Sequence, residues 1–359
     1  MRRAVRLFAM LAVVALVAGA CGGGGGGGGG TTIGLLYDIG GRGDLSFNDS
    51  AAAGLDKASK DFDITAKELS PNSGGTNRAE LLKLMAQQEE ANLVIGVGFL
   101  YAETVCQAAQ DNPDTHFADV DGFIDHATPN CKGAHDLKDS DNVASLLFAE
   151  EQGSYLVGAA AALKSEKNHV GFIGGVDIDL IKKFEAGFTA GAQKINPDIK
   201  IDVKYISEPP DFSGFGDPAK GKEIAASMYQ GGADVIYAAA GGSGTGMFQA
   251  AKEFSDSNKT KVWGIGVDSD QYKTLGAGSP ELQPFVLTSM LKHVDVAVYE
   301  TIKSEVDGNF KGGYHVFDLK ADGVGYSKSG GFVDDISKQL DDLKQQIIDG
   351  KIKVPTAPA

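Results

Sequence analysis

The sequence lacks any cluster of residues fitted for bond-breaking chemistry. Its six histidines, His116, His126, His135, His169, His293 and His315, are scattered along the chain. Neither an H-E-x-x-H pair nor a Cys/His metal spacing results. No G-x-S-x-G elbow occurs, which removes that route to a serine nucleophile. Positive charge is also short, with 33 Lys and Arg against 48 Asp and Glu, a formal net charge of -15. A chain of that sign has no overall field to gather nucleic acid phosphates. The apolar run at 7–18 falls short of the roughly 20 residues that span a bilayer. No catalytic role, cofactor or metal is expected.

What is present is a globular balance, 42% apolar and 23% charged over 359 residues, long enough for two compact domains. The start carries Arg2, Arg3 and Arg6, then the apolar run, then Gly19 and Ala20 before Cys21. This order is that of a secretory signal over 1–20. Cys21 stands where a bacterial lipoprotein is cut and acylated, and the glycine run at 22–30 follows at once. Such a run buries nothing and serves as a tether, so 21–31 is expected to be a lipidated cysteine and linker on the outer face of the cell membrane. Cys106 and Cys131 remain in the mature body. Export places them where thiols oxidise, which favours a disulfide over two separate buried thiols.

Beyond the glycines, strands and helices alternate. Apolar runs at 32–37, 64–69, 93–97 and 116–120 read as strands, with helical spacing at 49–62, 78–90 and 102–112. After a helix at 149–163 the series restarts, with strands at 169–173, 200–206, 235–239 and 261–267 and helices at 180–195, 220–230 and 246–255. The alternation implies parallel sheets with helical crossovers, hence two α/β halves. A strand at 285–290, a helix at 294–306 and an extended stretch at 313–319 exceed the needs of one second sheet. The chain is therefore expected to return to the first lobe and cross back. Lobe 1 is placed at 32–149 with 290–319, and lobe 2 at 150–289 with 320–359. An amphipathic helix at 333–348 closes the chain. Loops at the carboxyl ends of open parallel strands form the ligand crevice, so two such lobes face each other across a cleft. A two-domain enzyme has the same alternation; the export signal favours a binding protein.

The loop after the first strand offers Asp38, Ser46, Phe47 and Asn48 among glycines. A planar heterocycle suits that set, its face on Phe47 and its polar edge on the carboxylate and amide. Helix capping by Ser46 or Asn48 and core packing of Phe47 is the competing reading. Gly98 and Phe99 close the third strand, and Asp119 and Asp121 end the fourth, with Asp121 the site candidate. In the second half Phe215 sits in a loop before a helix, placed to close the other side of an aromatic sandwich. The glycine run 240–246 has neither dinucleotide nor P-loop spacing; backbone approach at Gly242 to an uncharged ligand fits better. Asp268 and Lys292 end adjoining strands, an acceptor and a donor for the two hydroxyls of a ribose, or simply an ion pair.

Taken together, 38–41 with 46–48, then 171–175, 217–221, 240–244, 266–271 and 288–292 resemble the basic membrane protein family of solute-binding lipoproteins. That family includes receptors of the purine nucleoside type. The resemblance runs from Ile33 to about Leu319. It implies the type I periplasmic-binding fold, two doubly wound lobes with a hinge of three crossings, and a purine nucleoside held between them. It implies a base between Phe47 and Phe215, with Asn48, Asp38 and Asp121 near its polar edge, and a ribose met by Asp268, Lys292 and the backbone of Gly242. The implied partner is the permease of an ABC-type uptake transporter, and the chain is expected to act as a monomer. Gly-Arg-Gly-Asp-Leu before Ser46 departs from the usual spelling of the first loop, and Cys106 and Cys131 are not general family features.

Overall fold

The computed structural model describes residues 30–359. The signal segment, Cys21 and nearly all of the glycine tether lie outside the described residues. In chain order the strands are β1 (Thr31–Leu36), β2 (Ile64–Leu69), β3 (Leu93–Val97), β4 (His116–Val120), β5 (Val143–Phe148), β6 (His169–Val176), β7 (Lys200–Ser207), β8 (Val235–Ala239), β9 (Trp263–Asp268), β10 (Val286–Lys292), β11 (Gly313–Phe317) and β12 (Val324–Tyr326). They form two six-stranded sheets, ordered β11-β5-β4-β3-β1-β2 and β12-β10-β9-β8-β6-β7. Each sheet's first strand has the second on one side and the third on the other. Both halves therefore share one doubly wound plan, with the strand order reversing beside β1 and beside β6. All pairings are parallel except β10 with β12.

The sequence shows why the strands are parallel and central. β3 and β8 are buried along their whole length, the continuous apolar pattern of strands covered on both faces. The helix Glu150–Lys164 is buried on nearly every side, as a helix at the centre of a domain must be. It packs on the helix Asp179–Ile195 through glycine. A Cβ on Gly158 would fall 2.1 Å from the Phe188 carbonyl, and one on Gly191 would fall 2.0 Å from that of Tyr155. Any side chain there would force the two helices apart.

Three crossings join the lobes: between β5 and the helix Glu150–Lys164, between β10 and the helix Val294–Val306, and between β11 and β12. β10 stays in the second sheet as far as Lys292, so the boundary set at residue 290 falls inside a strand. Each sheet includes one strand absent from the alternation read above, β5 in the first and β12 in the second. β5 hides at the end of the long segment 121–142, and β12 has only three residues. Cys106 and Cys131 are joined, with Sγ atoms 2.08 Å apart and Cα atoms 6.0 Å apart. The bond ties the helix Ala102–Asp111 to that long segment. Among the described residues no helix is long and apolar enough to cross a membrane.

Candidate functional site

A cavity lies where the carboxyl ends of the two sheets meet, with about 580 Å³ of space between atoms, part of it open to solvent. Its walls include Asp38, Phe47, Asn48, Gly98, Phe99 and Asp121 from lobe 1, and Phe215, Asp268 and Lys292 from lobe 2. Nine sequence-predicted residues thus meet in one place. Ser46 and Gly242 are set differently.

The loop before the first helix builds itself from acids. Asp44 accepts the backbone N–H groups of Ser46, Asn48 and Asp49 at 2.8 to 3.1 Å. It thereby caps the helix Phe47–Asp61, a task the sequence reading had weighed for Ser46 or Asn48. Asp49 answers by accepting from Gly43 and Leu45. Asn48 reaches the cavity wall with its amide already engaged: Oδ1 accepts the N–H of Asp38 at 2.9 Å, and Nδ2 donates to Asp44 at 3.1 Å. Ser46 is fully buried behind the wall rather than on it. Its hydroxyl donates to Asp268 Oδ2 at 2.6 Å and lies 3.1 Å from the Val267 carbonyl. The Ser269 hydroxyl and the Gln271 amide donate back to the carbonyls of Ser46 and Leu45. The first loop of lobe 1 is therefore latched onto lobe 2 at the back of Asp268.

Asp121 and Asp268 occupy corresponding places, each just at the end of a strand, and both have left-handed backbones, φ 68° and 63°. Non-glycine residues in that region cost energy and concentrate where the surroundings impose the conformation. The turn at Asp121 breaks the strand alternation, so Asp119 does not share its outlook. Asp119 is fully buried, hydrogen-bonded to nothing among the described residues.

Lys292 is the charge centre of the cleft. Its ammonium donates to Asp121 Oδ2 at 2.6 Å and lies 3.2 Å from Glu150 Oε1, while Lys183 holds the other oxygen of Glu150 at 3.0 Å. The rings of Phe148, Phe47 and Phe184 surround the ammonium at 4.9, 5.2 and 5.6 Å, a favourable setting for a desolvated cation. Burial works against its charge, but Asp121, Glu150 and Asp268 together overrule it and push the lysine pKa up. Burial pushes Asp268 up to about 7, against the pull of Lys292 and the Ser46 hydrogen bond. Asp121 is likewise pushed up to about 6 by burial, with Lys292 opposing and Glu150 adding to the rise. The pair read as either sugar clamp or salt bridge is thus a wider network, and the direct partner of Lys292 is Asp121 across the lobes.

In the glycine run after β8 the wall is formed by Gly241, whereas a Cβ on Gly242 would meet Asp44 at 3.6 Å. The backbone turns at once after Ala240, with Gly241 at φ 53°, so the first glycine faces inward. Phe99 lines the cavity with its ring centroid 5.9 Å from that of Phe212 of the other lobe. Sequence reasoning missed Asp44, Leu180, Ile181 and Phe184 on the wall and Glu150 behind it. The signal for three of them was available: they fall in the first turns of the helix after β6, hence at a carboxyl strand end. Glu150 had none, because its role depends on Lys292, more than a hundred residues away.

Two doubly wound lobes with three crossings and a polar, aromatic-lined cavity between their strand ends define a solute-binding protein of the periplasmic-binding type. The match to the family model described as ABC transporter substrate-binding protein PnrA-like extends over residues 31–357, and the chain belongs to that family. It is 36% identical to the ABC transporter nucleoside-binding protein BmpA of Lactococcus lactis subsp. cremoris, over 90% of this chain and 88% of that one. It is also 36% identical to the CD4+ T-cell-stimulating antigen of Listeria monocytogenes, over 91% and 88%. Among solved structures, an ABC transporter solute-binding protein of Aeropyrum pernix superposes with a TM-score of 0.75 at 30% identity, covering 92% of this chain and 94% of that one. The Lactococcus relative and the Aeropyrum structure both carry the names of binding proteins. The substrate-binding role implies a small ligand and a transporter permease as partners.

Proposed function

We propose that this chain captures a purine nucleoside in the inter-lobe cavity and presents it to the permease of an ABC-type importer. The observation carrying this reading is a single cavity lined by an aromatic side chain from each lobe, Phe47 and Phe215, together with Asp268 and Lys292. Flat rings suit a base, and a carboxylate beside an ammonium suits vicinal hydroxyls. The relative from Lactococcus named as nucleoside-binding supports the same ligand class. Closure of the lobes on the ligand would then produce the form that the permease recognises.

Calorimetry with adenosine, guanosine, inosine, their 2′-deoxy forms and free ribose tests the reading. Ribonucleosides are expected to bind, deoxynucleosides more weakly, and ribose alone not at all. Binding of ribose or another sugar without any nucleoside would overturn the nucleoside assignment. Analysis of the recovered ligand separates a receptor from an exported nucleoside hydrolase, since a receptor returns the nucleoside intact.

The same proposal places the protein on the outer face of the cell membrane, held by acyl chains on Cys21. Relatives from Pyrococcus carry the name lipoprotein. Cys21→Ser is expected to move the protein from the membrane fraction to the medium or soluble extract. Retention of that variant in washed membranes would refute the anchor.

A further inference from the structure

Behind the lobe 1 wall lies a buried polar layer outside the cavity lining. Arg78 begins the helix Arg78–Gln87, and its side chain turns inward. Nη1 donates to the Gly75 carbonyl at 2.6 Å and Nη2 to Asp38 Oδ1 at 2.8 Å. The guanidinium lies 5.2 Å from the Tyr101 ring centroid. The Tyr101 hydroxyl in turn donates to the carbonyl of Tyr37, the residue before Asp38, at 2.9 Å. A Cβ on Gly75 would fall 2.3 Å from Nη1, so the guanidinium occupies space that only a glycine leaves open.

Asp38 is consequently held by one oxygen. Oδ1 accepts from Arg78 and from the Ile39 N–H at 2.8 Å. Oδ2 accepts no hydrogen bond from the described residues and lies where a Cβ on Gly98 would come within 2.5 Å. Gly98 and Asp38 both line the cavity. We propose that Arg78 is a positioning residue of the ligand site: by tying back Oδ1 it fixes Asp38 with Oδ2 turned to the cleft as an acceptor for a ligand N–H or O–H.

Arg78 also governs the charge on that acceptor. Burial raises the Asp38 pKa, and the Arg78 guanidinium is the principal influence lowering it again. The other groups facing this pair are Tyr101, Asp119 and, through Asn48, Asp44. Burial pushes Asp119 well above the carboxylate range, with Asp121 and Asp38 adding to the rise. Asp119 accepts no hydrogen bond from any described residue, so it does not compete with Asp38 for the guanidinium. Without Arg78, Asp38 has only its backbone hydrogen bond to offset burial, and its proton is lost at higher pH.

The role assigned to Arg78 rests on the cleft being the nucleoside site, so two readouts are paired. In the ligand-free protein, the Asp38 carboxyl followed by carbon NMR is expected to titrate at least one pH unit higher in Arg78→Met than in wild type. With guanosine as the probe at pH 7, Arg78→Met is expected to weaken binding tenfold or more. Arg78→Lys keeps a cation beside Oδ1 and is expected to recover most of the affinity. In an Asp38→Asn background, Arg78→Met is expected to add little further loss, as two residues acting through one group do. An unmoved Asp38 titration, or a loss of binding unrelieved by lysine, would overturn the proposal. Failure of wild type to bind guanosine or any other nucleoside would instead count against the nucleoside reading, and the titration would still decide whether Arg78 sets the state of Asp38.

Discussion

Lys292→Met is expected to destabilise the fold by about 3 to 5 kcal/mol, the range for removing one partner of a buried ion pair. Methionine matches the lysine stem in length, and the rings of Phe47, Phe148 and Phe184 already offer it an apolar wall. Shape is therefore not what the substitution loses. What it loses is, among the described residues, the only ammonium within ion-pair distance of Asp121 and one of the two beside Glu150. Asp268, whose pKa is held down by the same ammonium, is released as well. The uncompensated carboxylates must then take up protons. The destabilisation should accordingly be larger at pH 8 than at pH 5, where Asp121 and Asp268 are already protonated or close to it. Urea denaturation at the two pH values measures this, and adding Asp121→Asn to the variant should return part of the loss. An unchanged midpoint at pH 8 would mean that the network contributes nothing net.

The fold was legible where the chain repeats a simple rule. Continuous apolar runs such as Leu93–Val97 and Val235–Ala239 announce buried parallel strands, and helices separate them at regular intervals. β5 was not legible, because a short apolar run directly before an apolar helix gives no periodicity of its own. The site was legible as a set of strand ends: Asp38, Gly98, Asp121, Asp268 and Lys292 each follow or finish a strand. What escaped was the division of labour among them. Ser46 and Asn48 have the right chemistry to touch a ligand, yet one is turned to Asp268 and the other is consumed by Asp38 and Asp44. For Ser46 the deciding hydrogen bond joins residues 222 positions apart, of which local sequence carries no trace; for Asn48 the partners are near in sequence, but only the folded loop brings their groups together. Arg78 and Glu150 were hidden for the same reason: each is an ordinary first-turn helix residue until the fold brings its acid or base to it.

Asp268→Asn is expected to weaken ribonucleoside binding by roughly 1 to 3 kcal/mol, about 5-fold to over 100-fold, and to change how binding and stability respond to pH. In the folded protein burial holds the Asp268 carboxyl near 7, well above its ordinary value. Between about pH 4 and pH 7 the folded state therefore keeps a proton that the unfolded chain has released. The group's contribution to stability is highest below the unfolded value and is lost as pH rises through the folded one. Asp121, pushed up to about 6, acts in the same direction over a narrower window. Ligand affinity has the opposite slope, since the ionised carboxylate is the better acceptor for ribose hydroxyls. Wild type should thus bind more tightly on going from pH 5.5 to pH 8 while these two acids make the empty protein less stable. Calorimetry and thermal unfolding on one set of buffers measure both. In Asp268→Asn the pH-dependence of affinity should flatten toward the smaller step left by Asp121, and the ligand-free protein should lose part of its stability decline between pH 5 and pH 7. A wild-type affinity that does not change across this range, or a variant that keeps the full wild-type pH-dependence, would show that Asp268 is not the acceptor that grips the sugar.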